Sequence, residues 1–434
     1  MTTVGMISLG CAKNLVDSEQ MLFLLKEAGF EITTDVYSAD AAVINTCGFI
    51  ESAQSEAIET ILDVSQNGNN KCIIVTGCLA ERYKDEILKE LPEVSSVVGC
   101  GSYKDIVRVV NDALNGKTGM YIGDIDAPIK EISRIVSTPP YTAYLKIAEG
   151  CDNRCSYCVI PYLRGKFRSR NMDAIINEAR TLAKGGVREI IVVAQDITRY
   201  GTDIFGRPML YKLIEKLNKI EELHWIRLHY MYPDEMDEML LDTIKNCNKV
   251  LHYFDIPIQH ISNSVLKRMN RRGTGEEIRA LIKKIREKLP DAVIRTSIIS
   301  GFPGETEKDF EELCNFLREY KIERAGVFVF SAQEGTPAFD MTDRVDIAVA
   351  QSRRDRLYMI QEDILDAYSK SLLGKTVEVV CEGMENGVYF GRSYAESPDI
   401  DGRINFKAEN ISIGEFVNVK ICDLVDGEAY GEKE

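Results

Sequence analysis

The chain has 434 residues with 45% hydrophobic content, enough for two to four ordinary domains with substantial cores. Its formal net charge of −15 is concentrated at the ends: residues 1–136 carry −9, residues 370–434 carry −6, and the segment between is neutral. That distribution argues against a general nucleic-acid-binding surface, which needs a basic footprint. No apolar run approaches the roughly 20 residues of a membrane span. No basic region precedes an apolar run at Met1–Gly10, so cytoplasmic residence without membrane attachment is expected.

The first third alternates two kinds of pattern. Val4–Leu9 reads as a strand, and Leu15–Ala28 as a helix closed by Gly29. Strand Ala41–Thr46 precedes a helix at Ser52–Ser65. Strand Cys72–Thr76 precedes a helix at Ala80–Leu91. Strand Val94–Val98 precedes a helix at Ile106–Leu114. Such alternation predicts a parallel sheet covered by helices, spanning residues 1–126. Cys11, Cys47 and Cys78 each follow one of the first three strands. Ligands of open α/β sheets bind at the carboxyl ends of strands, so these thiols can converge despite their spacing.

Residues 127–140, with Pro128, Pro139 and Pro140, read as a linker. Beyond it, strands are expected at Thr142–Ile147, Glu189–Ala194, Trp225–Leu228, Tyr253–Ile256, Val293–Ile299 and Arg324–Phe330. Six parallel repeats predict an incomplete (βα)6 barrel over residues 141–369, with active groups at strand C-termini. Residues 370–434 change character. Strand-like runs at Thr376–Cys381, Val388–Arg392, Ile404–Phe406 and Phe416–Leu424 are separated by Gly, Asn and Asp, which predicts a small all-β barrel.

Twelve cysteines in a long chain without an export signal point to metal or redox chemistry rather than to a disulfide framework. The strongest motif is Cys151-Asp-Asn-Arg-Cys155-Ser-Tyr-Cys158, just after an expected strand. Three thiolates at this spacing can reach three irons of one cubane and leave the fourth open to a reacting ligand. A structural zinc site would want a second Cys or His pair, and none is present.

This CxxxCxxC spacing resembles the signature of the radical S-adenosylmethionine (SAM) superfamily. The resemblance implies a [4Fe–4S] cluster on Cys151, Cys155 and Cys158 that cleaves SAM to methionine and a 5′-deoxyadenosyl radical. It also sets Tyr157 near the adenine. Further segments are similar to the methylthiotransferases of that superfamily: Ser8–Glu19, Asn45–Phe49, Thr76–Cys78, Gly150–Arg170, Gln195-Asp196, Pro257–His260 and Gly301–Thr306. The likeness covers nearly the whole chain, and its C-terminal barrel would be of the TRAM type. Leu9–Asn14 looks most like the RimO branch, which modifies an aspartate of a small-subunit ribosomal protein. The tRNA-modifying MiaB branch is the alternative.

The resemblance implies a second [4Fe–4S] cluster on Cys11, Cys47 and Cys78, whose open iron carries the transferred sulfur. It implies a SAM contact from Gly301, while Gln195 and Gln259, at the ends of expected strands, are placed to hydrogen-bond SAM or substrate. It also implies a basic ribosomal protein as partner, with flavodoxin or ferredoxin as electron donor and tRNA disfavoured by the acidic tail. Where many superfamily members carry Gly-Gly-Glu, this chain has Ala194-Gln195-Asp196. The other cysteines, 72, 100, 247, 314, 381 and 422, read as structural, and His260 as a core or loop histidine. Arg164, Lys166, Arg168 and Arg170 form a cationic run that suits either a solvated loop or contact with RNA or an acidic side chain.

Overall fold

The computed structural model describes residues 1–425 and 427–434. Its first sheet contains β1 (Thr3–Ser8), β2 (Glu31–Thr33), β3 (Ala41–Thr46), β4 (Cys72–Gly77), β5 (Val94–Val98) and β6 (Gly119–Tyr121). They lie in the order β2-β1-β3-β4-β5-β6, all parallel. Side-chain alternation feeds two cores. Ala41, Val43 and Ile74 pack with Met21, Leu25 and Val109 on one face. Ala42, Ile44, Ile73 and Val75 pack with Ala57, Ile61 and Leu79 on the other. The expected helix Ala80–Leu91 is instead two short helices, Cys78–Tyr83 and Asp85–Glu90, broken at Lys84 with φ +41. β2 and β6, three residues each, were not anticipated.

The central sheet begins with β7 (Thr142–Lys146). A two-stranded ribbon, β8 (Ala148–Glu149) with β9 (Arg168–Ser169), follows. The sheet continues with β10 (Glu189–Val193), β11 (Trp225–Leu228), β12 (Val250–Asp255), β13 (Val293–Ser300) and β14 (Arg324–Val329). The six long strands run parallel in chain order from β7 to β14, and the two outer strands do not pair. This is the expected incomplete barrel. Ala143, Leu145, Ile190, Val192, Ile226 and Leu228 face the surrounding helices. The alternate residues, among them Tyr144, Lys146, Glu189 and Arg227, therefore face inward, and polar side chains line the interior.

A long helix, Ile347–Leu372, packs on the barrel and carries the chain into β15 (Thr376–Glu385), β16 (Val388–Arg392), β17 (Ile404–Lys407), β18 (Phe416–Val425) and β19 (Glu428–Lys433). These close into a barrel in the order β15-β16-β17-β19-β18 around Val379, Cys381, Phe406, Val419 and Ile421. It has one strand more than expected.

The outer domains cap opposite ends of the central barrel. The β-barrel lies at the strand N-termini, where Tyr141, Trp225, Leu251 and Val293 pack with Val380 and Ala395. The first domain lies at the strand C-termini. There Lys146 pairs with Asp17, and Arg164 with Asp17 at 2.6 Å. The 127–140 segment, expected as a linker, has no helix or strand and is tied down. Arg134 is buried against Glu19 and Glu178, and Ser137 donates its backbone N–H to Glu19 at 2.6 Å.

Candidate functional site

Cys151, Cys155 and Cys158 occupy the loop after β8, at the carboxyl end of the barrel. The loop is held from several sides. Cys151 donates its N–H to Gly165 O at 3.1 Å, and Ser156 donates its N–H to Met269 O at 2.9 Å and its hydroxyl to Arg268 O at 2.8 Å. Gly150 starts it at φ +79, where a Cβ would stand 2.0 Å from Lys166 O, so only glycine fits. Burial pushes the Cys151 thiol up to about 12, and Cys158 higher still. Each is raised further by the charge of its neighbours in the triplet. Thiols that sense one another in a dry loop ionise only beside a cation, so this loop suits an iron cluster.

Arg271 supplies a local cation. Its Nη1 lies 3.9 Å from Cys155 Sγ and donates to Tyr157 Oη at 3.3 Å, while Nη2 donates to Pro257 O at 2.7 Å. The guanidinium stacks over the Tyr232 ring at 4.2 Å. Tyr157 packs edge-on against Phe302.

The second thiol set is built by strand ends. Cys11 follows β1 and caps the helix Ala12–Glu27; Cys47 follows β3; Cys78 follows β4 and opens the helix Cys78–Tyr83. Asn14 ties the loops together, donating to Leu9 O at 3.1 Å and Thr46 O at 2.9 Å. Gly10, at φ +86, lets its loop approach the next: a Cβ there would lie 2.7 Å from Cys47 Cβ and 3.2 Å from its sulfur. Burial raises the Cys47 thiol to about 11, and the charges of Cys78 and Cys11 add to it. Cys78 behaves oppositely. A hydrogen bond from Cys100 and the Arg164 guanidinium bring it down to about 6 despite burial. Among the described residues, no three His, Cys, Asp or Glu side chains could hold one metal ion. A cubane spreads its thiolates over separate irons, so its ligands need not meet at one point.

Between the sets lies a buried polar network. Arg164 donates from Nε to Cys78 Sγ at 3.4 Å, from Nη1 to Asp17 at 2.6 Å, and from Nη2 to Asn14. Lys146 bridges Asp17 and Glu149, the latter at 2.9 Å. Burial alone would raise the Glu149 carboxyl, but Lys146 and Arg164 hold it well below its ordinary range. Gln195 donates to Glu149 at 2.9 Å, and its buried Oε1 has no partner. Lys13 reaches across the interface to sit over the Tyr230 ring at 3.5 Å.

The cationic run divides. Lys166 is exposed, as in a solvated loop, whereas Arg164 and Arg170 are buried, closed to RNA, and held by acidic side chains of this chain. Arg164 is 3% exposed and Arg170 is 4% exposed, the latter paired with Glu131 and Glu178. Gly301, at φ +73, has a packing reason, since a Cβ would collide with Ala350 of the long helix at 2.2 Å. Gln259 adopts φ +68 and bridges Ile298 through its backbone. His260 is a core histidine, its Nδ1 accepting from Ser262 N at 3.0 Å. Of the cysteines read as structural, Cys72, Cys247, Cys314 and Cys381 are buried in cores, Cys422 is exposed, and Cys100 packs beside Cys78. Cys100 follows β5 much as the other three follow their strands, a signal that sequence reasoning passed over. Arg271 and Glu149 gave none.

Three family models match in chain order: an uncharacterized protein family, UPF0004, over residues 3–99, the radical SAM superfamily over 145–317 and a TRAM domain over 373–432. Among solved structures, the radical SAM methyltransferase TsrM from Kitasatospora setae aligns with 90% of this chain and 77% of its own at TM-score 0.57. At 13% identity that likeness speaks to the fold alone. Full-length relatives are much nearer. The ribosomal protein uS12 methylthiotransferase RimO of Acetivibrio thermocellus is 49% identical, covering 99% of this chain and 98% of the relative. Its counterpart in Caldanaerobacter subterraneus subsp. tengcongensis is 48% identical, covering 100% of both. With such identity from end to end, and with all three domain models in the same order, the chain belongs to the RimO methylthiotransferase family of radical SAM enzymes.

Proposed function

We propose that this enzyme inserts a methylthio group at the β-carbon of an aspartate in ribosomal protein uS12, using two [4Fe–4S] clusters and SAM. One observation carries the two-cluster reading. Arg164, which follows the CxxxCxxC loop closely in sequence, donates to the sulfur of Cys78 in the other thiol set. This bond ties the segment after the CxxxCxxC loop to the other thiol set and supports reading the two sets together. Cys151, Cys155 and Cys158 would hold the SAM-cleaving cluster, and Cys11, Cys47 and Cys78 the second. When bound, these groups supply the electron, the 5′-deoxyadenosyl radical and the sulfur. The protein supplies a dry interface, cations beside the thiolates, and polar groups with spare capacity. Gln195 Oε1, buried and unpartnered, is suited to a SAM or substrate donor. Tyr157, Gln259 and Gly301 are assigned to the same pocket by family resemblance.

The two full-length relatives are ribosomal protein uS12 methylthiotransferases. The −6 charge of residues 370–434 suits a basic protein and repels a phosphate backbone. No described helix is long and apolar enough to cross a membrane. Reduction by flavodoxin or ferredoxin in the cytoplasm completes the reading. The test uses reconstituted protein with SAM and a reductant, offered uS12 and tRNA in competition. A gain of S–CH2 on one uS12 aspartate, read by mass spectrometry, is the expected result. Modification of tRNA and not of uS12 would overturn it.

A further inference from the structure

We propose that Arg164 is a positioning residue for the second cluster: it donates a charge-assisted hydrogen bond to the Cys78 thiolate and thereby raises that cluster's reduction potential. The proposal rests on the two-cluster reading above.

The geometry is specific. The guanidinium is 3% exposed, and its donor positions are assigned in three directions. Nη1 is held by Asp17 at 2.6 Å and lies 3.5 Å from both Glu149 oxygens; Nη2 is held by Asn14. Asp17 and Asn14 both lie on the helix Ala12–Glu27, which starts directly after Cys11. A planar fork fixed along one edge has one orientation left for Nε, and that orientation meets Cys78 Sγ at 3.4 Å. The fork comes from the barrel domain and the sulfur from the first domain. The bond therefore exists only when the two are docked.

Charge accounting gives it a purpose. Asp17 and Glu149 are matched by Lys146 and Arg164. Without Arg164, two carboxylates and a thiolate would share one lysine. Hydrogen bonds to cluster sulfurs and nearby positive charge stabilise the reduced, more negative state, and burial magnifies both effects. A lysine cannot substitute. Its ammonium lacks the fork that points one donor at sulfur while two others stay on Asp17 and Asn14.

The experiment isolates the second cluster in a Cys151/Cys155/Cys158→Ala background and titrates its reduction potential by EPR. Arg164→Gln and Arg164→Lys are compared on cluster-loaded protein. Arg164→Gln should lower the equilibrium constant for reduction by about tenfold or more, which is about 59 mV for one electron. Arg164→Lys should shift it in the same direction by a smaller amount. If the background protein binds no iron, the two-cluster reading fails. If it binds about four irons and both variants keep the parent potential, the role of Arg164 fails while that reading stands. A shift in Arg164→Gln with none in Arg164→Lys would reduce the residue to a bare charge and overturn the hydrogen-bond claim. Failure of both variants to assemble the cluster would make Arg164 a structural residue and overturn the proposal.

Discussion

The central barrel carries a buried ion network at each end, and the two differ in what they leave unsatisfied. At the strand N-termini, Glu189 lies between Arg227, with Nε at 2.9 Å, and Arg392 of the C-terminal barrel, with Nη2 at 2.7 Å. Arg227 spends its remaining donors on Tyr394 O and Ser393 O, and Arg392 on Glu382 and Glu396 O. Burial would raise the Glu189 carboxyl, yet Arg392 and Arg227 hold it down at about 2. In that network each charged group is paired, and the pairs lock the β-barrel to the sheet. At the strand C-termini, the Arg164 network ends on a sulfur and leaves a buried amide oxygen free at Gln195. Both ends meet the cost of burying charge by pairing it. At the second end the spare amide oxygen belongs to a network that reaches a thiol, and that position, rather than charge itself, distinguishes it from the fastener.

The contrast can be broken most sharply by substitution at each end. Replacing Cys151, Cys155 and Cys158 together with Ala should abolish formation of 5′-deoxyadenosine from SAM and remove about half of the bound iron. The melting temperature of the metal-free protein should barely move. Chromatography of the SAM products, iron assay and calorimetry read these three quantities. Loss of all iron, or persistent SAM cleavage, would contradict the assignment.

At the other end the outcome should invert. Glu189→Ala leaves Arg227 and Arg392 facing one another without an anion. Removing one partner of a buried pair typically costs about 3–5 kcal/mol. Melting temperature and denaturant midpoint should fall accordingly, while iron content and SAM cleavage per folded molecule stay at the parent level. A catalytic defect at full stability would mean that the C-terminal barrel end also acts on the chemistry.

Much of this division was legible in the sequence, because strand patterns and cysteine positions are local signals. Val4–Leu9, Ala41–Thr46 and Cys72–Thr76 are apolar runs that form a sheet buried on both faces, and a cysteine follows each at the carboxyl end of its strand. CxxxCxxC is compact enough to need no fold at all. What stayed hidden depends on partners far away in the chain. Arg164 and Arg170 read as a charged loop because nothing local announces Asp17 or Glu131. The break at Lys84 falls inside an unbroken helical period, where only the φ of +41 reveals it. β19, Glu428–Lys433, is mostly polar, and its pairing with β17 and β18 makes it a strand. The crowding of Gly301 by Ala350 comes from a helix some fifty residues on, which no local pattern announces.

The smallest expected effect depends on pH and concerns a contact that the C-terminal barrel makes deeper within the central barrel. His229 stands just after β11, and its Nε2 meets Ser397 Oγ of the C-terminal barrel at 3.2 Å. Burial pushes it down to about 4; Asp255 opposes the shift, while Arg227 and Arg295 add to it. The ring is therefore neutral in the folded protein across a range where an unfolded chain protonates it at about 6.5. The sign follows: stability is whole above about pH 6.5 and is lost as the pH falls from there towards 4, where the folded ring also takes up its proton. Between those limits the slope approaches about 1.4 kcal/mol per pH unit. His260, buried and held down to about 3, adds a similar loss that begins at the same pH. His229→Gln keeps a neutral polar side chain opposite Ser397 and cannot take up the proton. Its stability should differ from the parent by a constant amount above pH 6.5, then fall less steeply below it, by about one proton's worth. Urea midpoints of the metal-free proteins at several pH values from 7.5 to 4.5 measure this. Parallel curves throughout would mean that His229 takes up its proton in the fold at the same pH as in the unfolded chain, and that the interface with the C-terminal barrel is less dry than its packing implies.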